Sequence, residues 1–153
     1  GMCTIHGESV DAVIHRLESE PLNIPRPLLT MIDAIMVQLR TEINGKPARR
    51  ITTVTEVTAL DPRTKELLTN EIFRWDARND TFAYSGRSHI LERNVKKMGL
   101  QEDQVQEELR RRRTVLEWMA KNNIRRHGDV SNIIREYYLD PERVYKRARV
   151  GMA

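Results

Sequence analysis

Two stretches rich in β-branched residues, Ala34 to Ile43 and Arg50 to Leu60, lie on either side of Asn44-Gly45. Asn-Gly between such runs is a strong short-range hairpin signal, because both residues tolerate the positive φ that a tight reverse turn demands. Asp61-Pro62 closes the second run, and Leu67 to Trp75 with Thr81 to Tyr84 make a further pair around the polar turn Asp76 to Asp80. The expectation is an antiparallel region of about four strands, in which Phe73, Trp75 and Phe82 form a cross-strand aromatic cluster.

After Gly86 the apolar period changes from strand-like to helical. Ile90, Leu91 and Val95 begin a helix that Gly99 ends, and Val105, Leu109, Leu116 and Met119 mark a longer one from about Gln101. Val130, Ile133, Ile134, Tyr137 and Tyr138 fit a third, starting at Gly128 or Asp129, and Asp140-Pro141 opens a last short one. Trp118, Tyr137 and Tyr138 fall on these apolar faces and are expected in the core.

At the other end, Thr4 to Gly7 looks like the tail of a strand running into a helix. Ser9 stands at the N-cap, Val10, Val13, Ile14 and Leu17 follow at helical spacing, and Pro21 forbids continuation. Pro25 and Pro27 constrain a turn into a second short helical stretch with Leu28, Leu29 and Ile32. The expected division is therefore residues 1–86, carrying the strands, and 87–153, a helical bundle.

The 153 residues suffice for one domain or two small subdomains with separate cores. Apolar runs are broken every few residues, well short of the roughly 18–20 needed to span a bilayer, and no signal peptide is visible. Gly1 before Met2 resembles the scar of a cleaved tag. The single cysteine, Cys3, rules out an internal disulfide and suits a reducing compartment, and one Cys with four scattered His gives no zinc-ligand spacing. Residues 1–86 hold 10 basic and 12 acidic side chains, whereas 87–153 hold 16 and 10. The second part thus carries a field that attracts phosphates, anionic lipid or acidic protein.

A phosphate-binding loop needs a Gly-rich turn followed by Lys and Ser/Thr. None of the seven glycines is so placed, and no apolar strand ends in Asp-Glu to hold Mg²⁺. His6, beside Gly7, is the most interesting single residue, although a lone His is more often a structural hydrogen-bonder. Arg110, Arg111, Arg112 and Arg113 are the densest basic run. Four consecutive helical residues point to all sides, so pairing with Glu107, Glu108 or Glu117 at helical spacing is expected.

Thr4-Ile5-His6-Gly7-Glu8-Ser9, then His15-Arg16-Leu17-Glu18 with Pro21, then Asn23-Ile24-Pro25-Arg26 resemble the histidine box and following segment of the type II/type IV secretion ATPases, in their archaeal branch. The likeness continues in order through Val54-Thr55-Glu56-Val57, Phe73-Arg74-Trp75-Asp76 with Asp80-Thr81-Phe82, Leu116-Glu117-Trp118-Met119, and Ile134-Arg135-Glu136-Tyr137-Tyr138. That family includes the motors of archaeal pili and the archaellum.

The resemblance implies the C-terminal part of a RecA-like P-loop ATPase, in an α/β (α+β fragment) class: the last strands of a RecA-like sheet with antiparallel hairpins, then an all-helical bundle. In the parent protein it implies a homo-hexamer that binds ATP and Mg²⁺ and drives protein export or pilin assembly. That ring would sit in the cytoplasm against the inner face of the membrane. His6 matches the second histidine of the box, near the γ-phosphate. Arg16 and Arg26 are candidates for nucleotide or ring contacts, and Arg110 to Arg113 for binding a membrane platform protein. The phosphate-binding loop and Mg²⁺ strand would lie upstream, so the chain is expected to be inactive alone, and no nucleic acid is expected as a partner. The competing readings are a basic helical nucleic-acid-binding module and a stand-alone oligomerisation domain. A sheet cut from a RecA-like domain would also expose edges and apolar faces.

Overall fold

The computed structural model describes residues 1–152. The elements run α1 (Val10–Glu18), α2 (Arg26–Leu29), β1 (Ala34–Ile43), β2 (Lys46–Leu60), β3 (Leu67–Asp76), β4 (Thr81–Tyr84), α3 (His89–Met98), α4 (Glu102–Lys121), α5 (His127–Leu139) and α6 (Pro141–Val150). They divide into two compact units, Gly1–Asn94 and the residues from Val95 onward. The fold is α+β. The sheet is a four-stranded meander in the order β1-β2-β3-β4 with all three pairings antiparallel, as the α+β fragment with antiparallel hairpins requires.

The β1–β2 hairpin follows from its turn. Asn44 has φ 49° and Gly45 φ 73°, the two positive values of a type I′ turn, whose twist matches that of the flanking strands. Pairing therefore starts at once, with Ile43 opposite Lys46. For that reason β2 begins at Lys46, four residues before the run of β-branched residues would suggest.

One sheet face carries Ile35, Val37 and Val57, and α1 and α2 cover it with Val13, Ile14 and Leu29. The Ser9 hydroxyl accepts the Ala12 amide at 3.1 Å and so starts α1 in the register that turns Val13 and Ile14 inward. Each side chain buried here contributes about 1.5–3 kcal/mol. Residues Thr4 to Gly7 are not a strand, contrary to the sequence expectation. A strand exists only by pairing, and none of the ladders in the sheet includes this segment.

In the second unit Val115, Met119, Ile133, Tyr137, Val144 and Ala148 make the core. On α4 the sequence pattern places Met119 correctly in the core but not Leu109 and Leu116, which are 37% and 56% exposed; Val115, one residue before Leu116, points inward instead. Tyr138 is likewise 71% exposed rather than buried. On α5 it stands beside Tyr137, and adjacent helical residues differ by about 100° in direction. α5 also starts earlier than expected, at His127, with Arg126 in the cap position and no side-chain cap. Asp140 caps α6 through the Arg143 amide, and Pro141 occupies its first turn, as its sequence indicates. No helix among the described residues is long and apolar enough to cross a membrane.

Candidate functional site

His6 lies in the extended segment leading to α1. It is exposed and has no hydrogen-bond or ion-pair partner among the described residues. Gly7 next to it is pressed onto the first turn of the helix. A Cβ there would sit 2.6 Å from Val13 Cγ2, so only glycine lets the backbone approach this closely. The imidazole is thereby displayed from a backbone held against a buried helix, with both ring nitrogens free.

Arg16, on the outer side of α1, is also exposed and unpaired. Arg26 is different. Its Nε and Nη2 grip both oxygens of Glu18, the latter bond at 2.6 Å, and its Nη1 donates to Glu66 Oε2 at 2.7 Å. One guanidinium therefore joins the end of α1, the start of α2 and the β2–β3 connection. The Glu18 hydrogen bonds raise its pKa further and lower that of Glu18. Of the two arginines expected at a nucleotide or ring contact, Arg16 is free to reach outward and Arg26 is held within its own unit.

The four consecutive arginines are each paired internally. Arg110 donates to Glu107, Arg111 to Glu107 and Glu142, Arg112 to Glu108 and Arg113 to Glu117. Arg111 also lies 5.3 Å from the Tyr145 ring centroid and Arg112 5.7 Å from that of Tyr138. Such cation–π contacts add about 0.5–1 kcal/mol at exposed sites. An open cleft of about 670 Å³ beside Arg111 is lined by Glu107, Glu142, Tyr145, Lys146 and Arg149. Its two carboxylates already neutralise Arg111, leaving Lys146 and Arg149 as cations with no hydrogen-bond or ion-pair partner among the described residues, Arg149 lying 5.8 Å from the Tyr145 ring centroid.

Two polar centres carry more structure than their sequence signals suggested. The first is Glu56, fully buried within β2, whose carboxylate accepts hydrogen bonds from Ser88 Oγ (2.5 Å), the His89 and Ile90 amides (2.8 and 3.2 Å) and Asn70 Nδ2 (3.1 Å). It caps the N-terminus of α3 from the sheet. The available signal was a lone acidic residue inside a β-branched run, with Ser88 ahead of a helical period. The second is Asp80, which accepts from Arg50 Nε and Nη2 at 2.7 Å each and from the Trp75 indole at 2.9 Å. Arg50, then Trp75, hold the Asp80 carboxyl at about 2. Its contribution to stability is present above the ordinary carboxylate value and is lost as pH falls through about 2. A carbon-13 carboxyl titration is expected to place the Asp80 midpoint near 2; an ordinary value of about 3.9 would mean that the Arg50–Trp75 cradle is open in solution.

Among the described residues no group of three His, Cys, Asp or Glu is arranged to hold a metal ion.

No protein-family profile matches the chain. It is similar to three uncharacterized proteins of Methanocaldococcus jannaschii. The first is 37% identical over 120 residues, which is 78% of this chain and 44% of the relative. The second is 30% identical over 146 residues, covering 95% and 20%, and the third 28% over 141 residues, covering 90% and 26%. The chain therefore spans less than half the length of each of these relatives, and what it resembles is a segment carried within longer archaeal proteins.

Proposed function

We propose that the chain is the C-terminal segment of an archaeal secretion or pilus-assembly ATPase, contributing one edge of a nucleotide site through His6. In this reading its sheet derives from a RecA-like motor domain, the parent works as a hexamer with ATP and Mg²⁺, and the helical unit faces a membrane platform protein. The observation that carries it is the ordered series of residue strings resembling that family along the chain, several members of which take part in contacts that hold the fold. Glu18 and Arg26 form the clamp described above, Glu56 caps α3, Trp75 and Asp80 bond to each other, and Trp118 and Tyr137 pack in or against the helical core. The greater length of the relatives supports the reading too, because it leaves room for a phosphate-binding loop elsewhere.

His6 is the residue whose role is easiest to test. Its free, displayed imidazole can donate a hydrogen bond to an anionic oxygen without breaking any bond in the fold. In the longer parent polypeptide His6→Ala is expected to lower kcat for ATP hydrolysis about 10²-fold, with nucleotide affinity changed only a few-fold. Unchanged turnover would remove His6 from the site. A parent that binds no ATP with His6 intact would remove the motor reading altogether.

A further inference from the structure

The face of the sheet opposite α1 and α2 is largely uncovered, from the row through Phe73 toward the β1–β2 turn. Met36, Val54, Phe73 and Tyr84 are successive register partners across all four strands, and directly paired residues share a face. They therefore form one apolar row. Met36, Phe73 and Tyr84 are 53%, 39% and 47% exposed, and the Phe73 and Tyr84 rings lie 4.9 Å apart. One pleat along, Trp75 pairs with Phe82, and Gln38 with Ile51. A further pleat along, Arg40 stands opposite Arg49.

Two like charges directly opposite on a sheet are destabilising, and nothing in the fold relieves them. Arg40 and Arg49 are both exposed and have no ion-pair or hydrogen-bond partner among the described residues, and Glu42, on the same face, pairs with neither. The other end of the face is closed, since Glu56 follows Val54 on that side and the start of α3 covers it.

We propose that this outer sheet face is a docking surface for a separate protein partner presenting an apolar segment that carries carboxylates. The apolar side chains would lie along the row through Phe73, and the carboxylates would meet Arg40 and Arg49. Exposed aromatic, Met and Arg side chains in one patch are the composition of protein–protein interfaces. An unpaired arginine couple suits the rim of such an interface better than the interior of a permanent domain, where charges are buried only when paired. Nucleic acid fits less well. The unit holds 12 basic and 13 acidic residues, so it lacks the cationic field that phosphate backbones require. The inference stands independently of the motor reading, because it uses only this sheet.

The test is amide-resonance mapping on the labelled chain with three probes: a short amphipathic peptide of Leu, Phe and Glu, the same peptide with Lys for Glu, and single-stranded oligothymidine. The acidic peptide is expected to bind about ten-fold more tightly than its Lys counterpart and to perturb Met36, Val54, Phe73, Tyr84, Arg40 and Arg49. The double variant Arg40→Glu/Arg49→Glu, on exposed positions, is expected to keep its spectrum and reverse the preference. Equal binding of both peptides, or perturbations elsewhere, would overturn the proposal. So would tighter binding of the oligonucleotide, or shifts of these residues with protein concentration alone, which would make the occupant a second copy. Burial of the side chains equivalent to Met36, Phe73 and Tyr84 in a structure of one of the full-length relatives would assign the face to internal packing and overturn it as well.

Discussion

Glu56→Ala is expected to cost about 3–5 kcal/mol of unfolding free energy, because several buried donors lose their acceptor at once and each hydrogen bond to a charged group is worth about 1.5–3 kcal/mol. The carboxylate is the hub of a closed set: Oε1 accepts from Ser88 Oγ and the Ile90 amide, and Oε2 from the His89 amide and Asn70 Nδ2. Without it, two helix N-terminal amides and two side chains lose their acceptor in a site that the sheet and α3 keep dry. Glu56→Gln separates charge from shape. A glutamine offers one acceptor oxygen, and its amide group would point a donor at two other donors, so this variant should still lose about 2–3 kcal/mol. Urea denaturation gives both values, as midpoint shifts at unchanged slope. A Gln variant as stable as the parent would show that the site needs only volume.

The same residue sets a pH dependence. Burial pushes the Glu56 carboxyl up, but hydrogen bonds from Ser88, Asn70 and the His89 and Ile90 amides outweigh it and hold the group below its ordinary value. A depressed folded-state pKa means that the stabilisation is complete above the unfolded-state value, about 4.3, and is lost as pH falls through the folded one. The gap between parent and Glu56→Gln should therefore be full at neutral pH and narrow only in acid.

In the helical unit the largest single loss is expected at Tyr137. Its ring is 6% exposed in the core with Val115, Met119 and Val144, and its hydroxyl donates to Glu108 Oε2 at 3.0 Å. Tyr137→Ala should cost about 3–5 kcal/mol, as for other buried aromatics. Tyr137→Phe keeps the ring and loses one hydrogen bond to a charged acceptor, about 1.5 kcal/mol, while Glu108 retains Arg112. Burial first, and then the Glu108 carboxylate, push the Tyr137 hydroxyl up to about 12. A raised folded-state pKa gives stabilisation that is whole below the unfolded value near 10 and is lost as pH rises through about 12. Of the four tyrosines, one should ionise late in an absorbance titration of the parent, and that step should be missing in Tyr137→Phe. Its persistence in the variant would place the late group elsewhere.

Interactions close in sequence were legible. Asn44-Gly45 dictates a two-residue turn and with it the β1–β2 register, and the Ser9 and Asp140 caps, Gly99 and Pro141 mark helix ends within a residue or so. These are backbone constraints that act over a few residues. The arginine run was legible for the same reason, because most of its partners lie three or four residues away on one helix turn. The inner side of α4 was not, since Val115 and Leu116 are equally apolar and only the approach of α5 and α6 chooses between them.

His6 stood out in the sequence by its neighbours, and the structure adds that Gly7 fixes its backbone on α1. Arg26 looked like an outward-reaching arginine until folding brought Glu18 and Glu66 to it from 8 and 40 residues away. Glu56 and Ser88 are 32 residues apart, and the unpaired couple Arg40 and Arg49 shares a face only because a hairpin sets them opposite. The amino-acid sequence by itself thus determined most of the elements and their order, the hairpin and the lack of a phosphate-binding loop, all properties of residue type and short spacing. Only the tertiary structure decided which charges are neutralised and which apolar side chains stay exposed. Both depend on distances between residues far apart in the chain, and those are set when the elements pack.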